Sequence, residues 1–125
     1  MDPGDLCRAN VSYVENGITL TKRRHVLIVD DDHANLNFVT VVESRGAPHP
    51  ALSLIGVVNF EKIPYSELAN PPTGLSHFYV QNITIMRRSW LDSRPFGALS
   101  QDDFDAFFDI IDKELINGLV PRPPP

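Results

Sequence analysis

The chain has 125 residues, 42% hydrophobic and 22% charged, which fits one compact domain and excludes wholesale disorder. A chain of this size buries roughly two thirds of its unfolded surface, enough for a core without staples; its single cysteine, Cys7, excludes an internal disulfide and any multi-cysteine zinc site. Sixteen acids against eleven bases give a net charge of −5, which argues against bulk-electrostatic binding of nucleic acid and leaves room for a local basic patch. No run of about 18 apolar residues is present, so no membrane-spanning helix is expected. The acidic opening, Met1 to Asp5, is unlike a signal peptide, and the expected location is the cytoplasm.

In chain order, Leu6–Val14 is the first strand candidate, and Asn16-Gly17 makes a turn before a second short run, Ile18–Leu20. His25–Val29 is a continuous apolar run, as a buried strand of either orientation would be. Asp30–Asn37 is read as a short helix or a loop. Phe38–Val42, Ala51–Val58 and Phe78–Met86 follow as strands. Ten of the eleven prolines, at 48–50, 64, 71–72, 95 and 121–125, punctuate these runs. Ser100 is a helix N-cap with Asp103 three residues on, and Asp102, Asp103 and Asp105 crowd the positive end of the dipole. Phe104, Phe107, Phe108, Ile111 and Leu115 form one apolar stripe, Asp105, Asp109, Asp112 and Lys113 a wet face, and Gly118 a C-terminal stop. The expectation is a mainly β small barrel or sandwich closed by a C-terminal amphipathic helix through about residue 120. The Pro-rich 121–125 is read as an extended tail.

The run Val26–Asp32, with Asn35-Leu36 after it, invites comparison with a receiver domain, where clustered carboxylates hold magnesium. The comparison fails downstream. The region where the acceptor aspartate belongs reads Leu75-Ser76-His77-Phe78-Tyr79, with no acid, and the chain is too short for five βα units. Asp30–Asp32 is therefore read as a solvated strand end or helix N-terminus. His33, His49 and His77 lack zinc-ligand spacing, and Trp90 with Leu91 is expected under the helix or at an interface.

Four segments carry a resemblance over nearly the whole chain. These are Gly4-Asp5-Leu6; Arg24-His25-Val26-Leu27-Ile28-Val29; Asn82-Ile83-Thr84-Ile85-Met86-Arg87-Arg88-Ser89-Trp90-Leu91; and Gly97-Ala98-Leu99-Ser100 before the helix. Their order and spacing resemble the MazF/PemK toxin family. The resemblance implies an SH3-like β-barrel with a terminal helix, a homodimer, an antitoxin partner, and metal-independent, cofactor-free cleavage of single-stranded RNA by attack of the ribose 2′-OH on its own phosphate. That chemistry needs a proton acceptor and a fixed cation for the phosphorane; arginine suits the second need because its fork grips two phosphate oxygens.

Arg24 falls on the family's loop-end arginine and is the first candidate for phosphate contact, against a plain charge at a strand start. Lys22, Arg23 and His25 flank it as a basic patch for an RNA backbone or an acidic antitoxin tail. Glu43 and Ser44 stand at the next catalytic position, with Glu43 where the family has threonine, and Arg45 follows. Glu43 is a candidate base or an exposed strand-end charge. The family's Arg-x-Asp is replaced by Tyr79-Val80-Gln81. Tyr79 is a base-stacking candidate or a barrel-wall residue, Gln81 cannot relay a proton, and His77 is a cleft candidate or a loop histidine. The alternative is a non-catalytic barrel that binds a partner protein, as the related CcdB-type gyrase poisons do.

Overall fold

The computed structural model describes residues 1–31, 37–64 and 71–116. Asp32, His33, Asn35, Leu36, Gly118 and the 121–125 tail lie outside the described residues, as does most of the helix-or-loop segment before Asn37. Among the described residues six antiparallel strands, β1 (Asp5–Glu15), β2 (Ile18–Asp30), β3 (Phe38–Arg45), β4 (Leu54–Asn59), β5 (Leu75–Arg87) and β6 (Gly97–Ala98), precede one α-helix, α1 (Gln101–Ile116). The sheet runs β4-β5-β3-β2-β1-β6 and curls into a half-barrel. The mainly β fold with a C-terminal helix is therefore as expected. A receiver-type parallel sheet is excluded, because every strand pair is antiparallel.

The first hairpin follows from its two turn residues. Asn16 and Gly17 both take positive φ, 52° and 76°, the combination a two-residue hairpin loop requires. The runs at 18–20 and 25–29 are not separate strands: they join through Thr21–Arg24 into one strand of 13 residues. β2 pairs with β1 over its length as far as Leu27, but with β3 only from Val26 inward. The outer halves of β2 and β1 therefore stand off the sheet as a hairpin arm with exposed Val14 of β1 and Ile18 and Leu20 of β2.

The period of two divides the inner half of β2 between two apolar clusters. Leu27 and Val29 join Leu6, Val42, Phe78 and Ile83 in the main core, which α1 covers with Phe107, Phe108 and Ile111. Burial of each such aromatic side chain stabilises by about 1.5–3 kcal/mol. The approach of α1 depends on Gly56, where a Cβ would lie 2.1 Å from the Phe107 ring. Ser100 caps the helix as expected, accepting from the Asp103 N–H at 3.2 Å, and Asp105, Asp109, Asp112 and Lys113 are exposed.

Val26 and Ile28 point the other way, to Cys7, Ala9, Val39, Val41 and Met86, with Trp90 and Leu91 packed on them. Trp90 thus covers the cluster opposite α1 rather than lying under the helix. Beside it, Asp31 corrects the reading of the acidic run as solvated. Asp30 is exposed, but Asp31 is buried and takes both guanidinium nitrogens of Arg88 and the N-terminal amine, the latter at 3.0 Å. The Arg88 hydrogen bonds, helped by that amine, hold its carboxyl far below the usual carboxylate range.

Candidate functional site

The half-barrel has a fork. β2 and β3 stay paired up to Val26 opposite Glu43 and then part. β3 continues along β5 through a register shift between Val42 and Ser44, where Glu43 of β3 faces Tyr79–Asn82 of β5, so the extra residues bulge on β5. The fork encloses a recess of about 110 Å³ lined by Arg24 of β2, Glu43, Ser44 and Arg45 of β3, and Asn82 of β5.

Alternation explains the lining. Val26 faces the second cluster, so Arg24, two residues out, projects from the same face. Ile83 is buried in the main core, so Asn82 points to the opposite side. Arg24 is exposed and Glu43 half-buried, and neither has a hydrogen-bond or ion-pair partner among the described residues. Arg45 is fixed, its Nε donating to Asn82 Oδ1 at 3.0 Å. Two guanidiniums against one carboxylate make this spot cationic within an acidic chain. Such a recess can hold a tetrahedral oxyanion on the arginines while the carboxylate accepts a proton.

Four sequence candidates, Arg24, Glu43, Ser44 and Arg45, thus share one recess. The others lie outside its lining. Alternation splits the basic run, since Lys22 shares the face of Arg24 while Arg23 and His25 take the other. The Lys22 ammonium sits 4.9 Å from the Tyr13 ring centroid. Arg23 grips Asp92 with bonds of 3.1 and 2.7 Å and also donates to Asn10. His25 packs edge-on against Phe60 and Phe96, with centroids 5.2 and 5.5 Å away. Burial, followed by the charges of Arg8 and Arg23, pushes its pKa down.

Tyr79 is a wall residue. It is 3% exposed, and its hydroxyl accepts the His49 N–H at 2.7 Å. Gln81 is bound to Ser53, accepting from its N–H at 2.9 Å and donating to its Oγ at 3.1 Å. His77 lies opposite Arg45 across the β3–β5 ladder, half-buried. Asn82 was missed as a lining residue; the buried Ile83 beside it is the signal that would have placed it.

Two larger hollows carry less chemistry. One of about 590 Å³ is lined by Asn37, Phe38, Arg87, Arg88 and Ser89, but Arg88 is committed to Asp31. The other, about 540 Å³, lies between the Pro64 and Phe96 segments and is largely apolar. Cys7 is no nucleophile: burial, then the charge of Asp92, pushes its thiol up to about 11. Among the described residues no three His, Cys, Asp or Glu side chains gather as a metal site, and no helix is long and apolar enough to cross a membrane. No protein-family model matches the chain, and no curated protein matches it in sequence.

Proposed function

We propose that the fork is the active site of a MazF/PemK-like endoribonuclease that cuts single-stranded RNA in the cytoplasm as the toxin of a toxin–antitoxin pair. The supporting observation is the meeting of Arg24, Glu43 and Arg45 in one recess, with Arg24 and Glu43 uncommitted to any described partner. In this reading Arg24 and Arg45 hold the scissile phosphate and stabilise charge on the phosphorane. Glu43 takes the 2′-OH proton, standing in for the family's threonine as a true base. Ser44 supplies a hydroxyl to the same phosphate. The basic rim, with Lys22, guides an RNA backbone or the acidic tail of an antitoxin, and the working unit is a homodimer.

The test is cleavage of a single-stranded RNA by the purified protein in the presence of a chelator. Wild type should release fragments ending in a 2′,3′-cyclic phosphate. Arg24→Ala should lose activity by about 10²–10³-fold, the usual cost of one oxyanion contact, with an unchanged circular dichroism spectrum.

One observation favours a second reading. Tyr79 and Gln81, which occupy the place of the family's Arg-x-Asp, are tied to His49 and Ser53 and carry no acid. A barrel that has lost cleavage and keeps the basic recess would bind an acidic partner protein instead. Growth arrest with intact cellular RNA would select this reading.

A further inference from the structure

We propose that His77 donates the proton to the leaving 5′ oxygen in RNA cleavage at the fork, opposite in role to Glu43; this rests on the endoribonuclease reading above. Cleavage by 2′-OH attack needs two proton transfers, and the recess itself holds a single titratable acid–base group, Glu43. His77 supplies the other from the neighbouring strand. It is directly opposite Arg45 in the ladder, where opposed Cα atoms are about 5 Å apart.

Its orientation is fixed by two contacts. Nδ1 lies 3.3 Å from the Arg45 carbonyl oxygen. A carbonyl can only accept, so Nδ1 carries the hydrogen and Nε2 is left as the nitrogen that loads and unloads a proton. One side of the ring lies parallel to Tyr79, with 10° between planes and centroids 6.5 Å apart. Tyr79 is in turn pinned through its hydroxyl by the His49 backbone. The barrel-wall role of Tyr79 thereby acquires a purpose, since it holds the imidazole against the strand that carries Glu43 and Arg45. The groups facing His77 are Arg45 from β3 and Tyr79 from β5; its β4 partner, Val57, carries no charge.

The step balances. The 2′ oxygen forms a bond to phosphorus while the bond from phosphorus to the 5′ oxygen breaks. The 2′-OH proton passes to the Glu43 carboxylate, and the Nε2 proton of cationic His77 passes to the 5′ oxygen. Glu43 ends protonated and His77 neutral, and exchange with water restores both.

The experiment compares two oligonucleotides cut by the full chain, one normal and one with sulfur in place of the 5′ bridging oxygen at the cleaved linkage. A thiolate leaves without protonation, so it removes the need for an acid. His77→Asn keeps a donor in the place of Nδ1 and removes Nε2. On the normal substrate the variant should lose about 10²–10⁴-fold and the alkaline limb of its pH–rate profile. On the sulfur substrate the loss should shrink to less than about 10-fold. Equal losses on both substrates would overturn the assignment and leave His77 a positioning residue for Arg45; no loss on either would remove it altogether. If wild type cuts neither, the endoribonuclease reading falls and takes this role with it, whereas cutting with an unaltered pH profile in the variant sinks the role of His77 alone.

Discussion

The two faces of the sheet bury similar strands by different means. Under α1 the filling is aromatic and aliphatic, with Phe78, Phe107 and Ile111 closing over Leu6 and Leu27. On the other face a thinner layer of Val26, Ile28, Val41 and Met86 is covered, among the described residues, by Met1, Val11, Trp90 and Leu91. That face ends in charge at both extremities, at one the buried Asp31 with its half-buried partner Arg88 and at the other the fork with Arg24 and Glu43. The comparison shows where polar chemistry is affordable in so small a fold. Where the charge is matched and enclosed it serves stability, and where arginine and glutamate stand near each other without pairing it is available to a ligand.

The largest way to sharpen the contrast is at the fork. Glu43→Gln should lower RNA cleavage by about 10²–10⁴-fold while RNA binding, read by fluorescence anisotropy, is kept or strengthened. Cleavage at wild-type rate would remove Glu43 as the base. At the opposite end, Arg88→Ala should cost about 1–3 kcal/mol in urea unfolding, because it leaves the buried Asp31 carboxylate short of a partner while the lost guanidinium was partly exposed and the N-terminal amine still faces Asp31. The sign with pH is set by the lowered Asp31 pKa. The stability it contributes is complete above the unfolded carboxylate value of about 3.9 and is lost as pH falls through the much lower folded value. The variant should therefore acid-unfold at higher pH than wild type.

Under the helix, Gly56→Ala should destabilise by about 1–3 kcal/mol, since the new methyl meets the Phe107 ring. A smaller effect belongs to His25, whose pKa is lowered between Phe60 and Phe96. Above an unfolded histidine's value of about 6.5 it costs nothing; below it the unfolded chain takes the proton first, so stability declines with falling pH. His25→Phe should flatten that part of the profile, and an unchanged slope would show that other groups cause it. Smallest of all, Val14→Ser with Ile18→Ser on the exposed arm should change stability by less than about 0.5 kcal/mol each.

Legibility in the sequence tracks the same division. The helix could be read to its cap because the stripe of Phe104, Phe107, Phe108 and Ile111 repeats at helical spacing, and the Asn16-Gly17 turn because few other pairs accept two positive φ angles. The fusion of Ile18–Leu20 with His25–Val29 was not legible. Thr21–Arg24 is polar because it lies on the arm, outside the core, and polarity there imitates a loop. The co-location of Arg24 with Glu43, Ser44 and Arg45 followed from resemblance, and Asn82 was legible from the buried Ile83 beside it, but no local pattern announces the bulge of Tyr79–Asn82 in β5 opposite Glu43. Asp31 was misread for a related reason: its partner Arg88 is 57 residues away, and only the antiparallel return of β5 beside β3 brings them together.

The central claim is that a phosphodiester settles against Arg24 in the fork and is cut there. The most direct measurement is incubation of the purified wild-type and Arg24→Ala proteins with a single-stranded RNA in chelator, resolving the product ends. The account predicts cyclic-phosphate fragments from wild type and essentially none from a variant with the same melting curve. Intact RNA with both proteins, or equal cleavage by both, would contradict it.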